Sequence, residues 1–70
     1  LNVGIEMEAS GIKFYNQKLK DSSDPVEKEF LERMLQDERS HYRALMDLKF
    51  YLEDPGGWFQ EQERSRLDGA

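Results

Sequence analysis

The sequence predicts an all-α protein, an antiparallel two-helix hairpin that dimerises into a four-helix bundle, and three observations carry that prediction. Apolar residues recur at alternating three- and four-residue spacing in two long segments. A short polar break ending in a helix-start pattern separates them. The chain has 70 residues, 37% of them hydrophobic and 36% charged, too polar to build a sizeable core alone.

The first helix is expected over residues 3–20, where Leu1, Ile5, Ile12, Tyr15 and Leu19 mark the stripe of a helix packed on another helix. Gly4 and Gly11 each weaken it by up to about 1 kcal/mol relative to alanine, so packing rather than propensity must hold it. Asp21-Ser22-Ser23-Asp24 breaks the pattern. Asp24-Pro25-Val26-Glu27 then supplies an N-cap, a proline at the first helical position and a glutamate at the third. The second helix is expected over 25–53, with Leu31, Met34, Leu45, Leu48 and Leu52 on its stripe and Phe30, Leu35, Tyr42 and Met46 widening it. Asp54-Pro55-Gly56-Gly57 reads as a stop, and Trp58 and Phe59 open a charged C-terminal arm or short helix over 57–67. The whole of 1–70 forms one half-bundle domain. Its wide apolar face has nothing within the chain to cover it, so self-association as a homodimer or higher homo-oligomer is expected.

Fifteen acidic residues against ten basic ones give a net charge of -5, with a pI near 4.8 and a mean hydropathy of -0.89. This leaves no electrostatic source for a grip on nucleic acid. Zero cysteines exclude disulfides, thiolate metal sites and cysteine nucleophiles, so any metal must be held by oxygen and nitrogen. No apolar run approaches the roughly 20 residues that span a bilayer, and no signal-peptide pattern is present. A cytoplasmic protein is expected. The chain opens at Leu1 rather than Met, which leaves a piece of a longer protein open.

Three residues break the apolar stripes. The first-helix series reads Leu1, Ile5, Glu8, Ile12, Tyr15, Leu19, and the second reads Leu31, Met34, Glu38, His41, Leu45, Leu48, Leu52. A carboxylate facing a core without a partner costs several kcal/mol or takes up a proton, and a divalent cation is one partner that removes this cost. Each residue alone has a plainer explanation, a snorkelling glutamate or a hydrogen-bonded core histidine. Together they say more. Glu38 and His41 stand at i and i+3 on one helix face, and Glu8 lies level with Glu38, about 13 residues from the loop on the opposite helix. Two hairpins related by a two-fold axis would offer four carboxylates and two imidazoles, the ligand set of carboxylate-bridged di-metal bundles. Oxygen donors with one nitrogen per metal suit iron or manganese, with zinc as a substitute. Tyr15, on the same stripe, is a candidate to donate a hydrogen bond to a ligating carboxylate, and Asp37, four residues before His41, to orient its ring. For Tyr15 a half-buried ring with its hydroxyl at the surface is an equal reading, and for Asp37 a solvated side chain is the plainer one.

These residues resemble the rubrerythrin branch of the ferritin-like family. Glu8-Ala9-Ser10-Gly11-Ile12-Lys13-Phe14-Tyr15 is similar to its first-helix signature, and Asp37-Glu38-Arg39-Ser40-His41 to its second-helix Glu-x-x-His motif. The run from Tyr51 to Phe59 is similar to a segment that follows the second helix in some rubrerythrin-like proteins. The resemblance implies a ferritin-like four-helix bundle and a di-iron centre reacting with oxygen or peroxide. Glu38 would be the bridging carboxylate, Glu8 a terminal or chelating one and His41 the nitrogen ligand. The chain departs from the family by carrying half of the bundle and no cysteine-ligated rubredoxin domain. Encapsulated ferritins, two-helix chains that form the site across a dimer, are the closer analogue in layout.

The expected function is therefore that of a di-iron protein oxidising Fe(II) with oxygen or peroxide, in iron handling or oxidative-stress defence. Whether a protein shell encloses it is left open. The alternative is a metal-free helical-hairpin interaction module whose polar stripe residues set register. Haem ligation by His41 with Met34 or Met46 is the weakest of the three, because carboxylates beside the iron are not what haem requires.

Overall fold

The computed structural model describes residues 1–68. Three helices follow one another: α1 (Asn2–Asp21), α2 (Pro25–Glu53) and α3 (Pro55–Asp68), and no strand occurs among the described residues. Asp24 caps α2 as its residue type dictates, accepting from Val26 N–H at 3.0 Å, with Pro25 in the first turn. The expected arm over 57–67 forms as a helix that starts earlier, at Pro55. Asp54 makes this start: it ends α2 by donating its N–H to the Phe50 carbonyl and opens α3 by accepting from Gly57 N–H at 3.0 Å. A side chain on Gly57 would collide with the Asp54 carboxylate, so the glycine is what lets the cap fold back.

α1 and α2 form the antiparallel hairpin. Leu31 and Leu35, at 7% and 5% exposure, are the only buried apolar residues among those described. Ile5, Ile12, Tyr15 and Leu19 of α1 and Met34, Tyr42 and Leu45 of α2 are half-buried along the contact. Leu45 already lies against Gly4 in the first turn of α1. Leu48 and Leu52, one and two turns farther along, project past the end of α1 and are exposed, as is Leu1. All three were expected on the packed stripe.

The molecule is a thin slab of 46 × 32 × 12 Å, with a radius of gyration of 15.9 Å. A compact chain of this length would have about 11 Å. Its accessible surface of 5697 Å² exceeds the roughly 4,600 Å² of a compact monomer of this mass by about 1,100 Å². Part of the exposed apolar surface is ordered in stripes. Val3, Met7 and Phe14 on α1, and Phe30 with His41 on α2, are exposed at helical spacing. Both stripes are offset in the same rotational sense from the residues packed between the helices, and in an antiparallel pair offsets of one sense fall toward the same side. One face of the hairpin is thus apolar and open. Among the described residues, no helix is long and apolar enough to cross a membrane.

Candidate metal centre

Glu8, Glu38 and His41 converge. Each offers one ligand atom, and the three atoms lie within 4.8 Å of one another. Helix geometry brings this about: side chains lean toward their own helix N-terminus, so Glu8 leans away from the loop while Glu38 and His41 lean toward it. His41 Nδ1 consequently stands 3.8 Å from Glu8 Oε2, and Glu38 lies against Gly11.

The site is polar without being satisfied. Glu8 Oε2 is fully shielded and has no hydrogen-bond partner, and the His41 contact is too long to be one. The Glu38 carboxyl is pushed above its ordinary value of 4.5. The main cause is the hydrogen bonding to Glu8 that a proton on Glu38 would allow; partial burial and the charges of Glu8 and Asp37 add to it, and His41 opposes it. Two carboxylates forced together in this way either share a proton or need a cation.

The donor set fits a divalent metal. Ligands of one ion at bonds of about 2.1 Å stand roughly 3.0 to 4.2 Å apart, so the trio must draw together by side-chain rotation to close on it. Two carboxylates and an imidazole leave most of an octahedral shell unfilled. His41 is exposed, with 61% of its side chain accessible, on the open apolar face, whereas Glu8 is shielded to 24%. The trio is therefore open on its His41 side and closed on its Glu8 side.

The other residues singled out from the sequence lie elsewhere. Tyr15 is half-buried two turns beyond Glu8, and its ring meets Phe14 edge-on at a centroid distance of 5.4 Å. Among the described residues, no hydrogen bond joins its hydroxyl to the carboxylates. Asp37 is exposed and acts on Glu38 only through its charge. Gly11 was read from the sequence as a weak point of the helix; the contact with Glu38 is a second fact about it, visible only in three dimensions. Comparison with protein-family models, with curated proteins and with solved structures gives no match.

Proposed function

We propose that two copies of the chain pair through the open apolar face into a ferritin-like four-helix bundle and together hold two iron ions, oxidising Fe(II) with peroxide or oxygen. The observation that carries this reading is the convergence of Glu8, Glu38 and His41 around a shielded carboxylate oxygen that lacks any donor. Pairing supplies what one hairpin lacks: a second set of three ligands, and cover for about 1,100 Å² of surplus surface, above the roughly 800 Å² per partner of a standard interface. Manganese or zinc would fit the same donors.

Glu8, Glu38 and His41 of each chain would hold the iron, which would supply one-electron chemistry: hydrogen peroxide would take two electrons from two Fe(II) and two protons and leave as two waters, and oxygen would take four of each. Glu38 would give up its proton on loading, and Glu8 and Glu38 would then offset the cationic charge. His41 contributes the nitrogen donor from the open face. Glu38→Ala and His41→Ala should each abolish iron-dependent oxidation while leaving the far-ultraviolet circular dichroism helical. Full oxidation in either variant would overturn the assignment. The exposed apolar stripes also serve the second reading, a metal-free interaction module, for which leucine at Glu8, Glu38 and His41 costs no function.

A further inference from the structure

α1 carries two glycines in positions where alanine would favour the helix. Their surroundings differ. A side chain at Gly4 would meet only Leu45 Cδ1 at 3.6 Å, an ordinary contact distance. At Gly11 a Cβ would lie 3.0 Å from Glu38 Oε2, closer than ordinary contact, with its Cδ and Cγ at 3.4 and 3.7 Å, so the Glu38 carboxylate lies directly against the space a side chain would take.

We propose that Gly11 is a positioning residue for the metal ligands, its missing side chain giving the Glu38 carboxylate a seat against α1 from which it meets Glu8 and His41. The seat has α1 backbone on one side and Glu8 on another, and its open side faces solvent. Even one methyl group at Gly11 moves the carboxylate outward by a few tenths of an ångström. Ligand distances in metal sites are held to within about 0.2 Å, so a displacement of that size is felt in affinity. Outer contacts that orient ligands are typically worth about 10- to 100-fold in metal binding. This inference rests on the di-metal reading for its consequence in metal binding, but the seat itself exists without metal.

The test compares Gly11→Ala with Gly4→Ala in two measurements at one fixed protomer concentration. In anaerobic Fe(II) titration by calorimetry, Gly11→Ala should weaken binding by about tenfold or more while Gly4→Ala binds as the parent does. Equal affinity in all three would overturn the inference. In thermal melts of the metal-free protein, Gly4→Ala should raise the midpoint by a few degrees. Gly11→Ala should show such a gain only in a Glu38→Ala background, where the seat is vacant. The same gain with Glu38 present would overturn the seat even if iron binds. A parent chain that binds no Fe(II) contradicts the di-metal reading, and the melts then decide the placement of Glu38 alone.

Discussion

At the α2–α3 corner, Trp58 lies edge-on to Tyr51 and Phe59 at centroid distances of 5.1 and 5.2 Å. Its indole N–H donates to Asp47 Oδ1 at 3.0 Å, and Gly57 N–H donates to Asp54 Oδ1 at the same distance. In the α1–α2 seam, two carboxylates crowd each other and one shielded oxygen has no donor. Both regions mix carboxylates with apolar side chains. The corner satisfies its polar groups from within the chain, and the seam does not. Polar residues of the corner therefore stabilise the fold, while those of the seam cost stability, a cost that the proposed metal would offset.

The comparison breaks most sharply at Trp58. Trp58→Ala removes a half-buried ring, undoes the corner and should cost about 2 kcal/mol, lowering the thermal midpoint by about 10 °C without weakening Fe(II) binding. Asp47→Ala strips the indole N–H of its acceptor and should cost about 1 kcal/mol in the same melts. Glu38→Leu should go the other way, raising the midpoint of the metal-free protein while abolishing iron binding. If it lowers the midpoint instead, the seam is structural and the contrast with the corner fails.

Titration sharpens the same contrast. Because the folded state raises the Glu38 carboxyl above 4.5, it binds more protons there than the unfolded chain does. That stabilisation is complete below about pH 4.5 and is lost as pH rises through the raised value. Iron binding must run oppositely, tightening over that window as Glu38 sheds its proton. Urea melts of the metal-free protein and Fe(II) titrations across the window should show these opposed slopes, and Glu38→Gln should remove this contribution to the melts.

The hairpin was legible because the signals for it are local. Asp24-Pro25 marks the start of α2, and the apolar period marks both packed stripes. The start of α3 was missed although Asp54-Pro55 repeats that grammar; Gly56-Gly57 reads as a turn until the Asp54 carboxylate is seen folded against Gly57. Leu48 and Leu52 keep the period of α2 yet lie past the end of α1, because periodicity reports a face and not the length of its partner. Glu8, Glu38 and His41 were legible as violations of an apolar stripe, and the structure brings all three together. The Trp58–Asp47 bond joins two helices across eleven positions of sequence, and no spacing rule predicts it.

The central claim is that the seam is half of a site completed by a second copy. Native mass spectrometry of the protein titrated anaerobically with Fe(II) reads oligomeric state and metal stoichiometry together. The account predicts two irons per two chains, with the same dimer left empty by Glu38→Ala. A dimer that takes up no iron, or a monomer that binds its own ion, would contradict it.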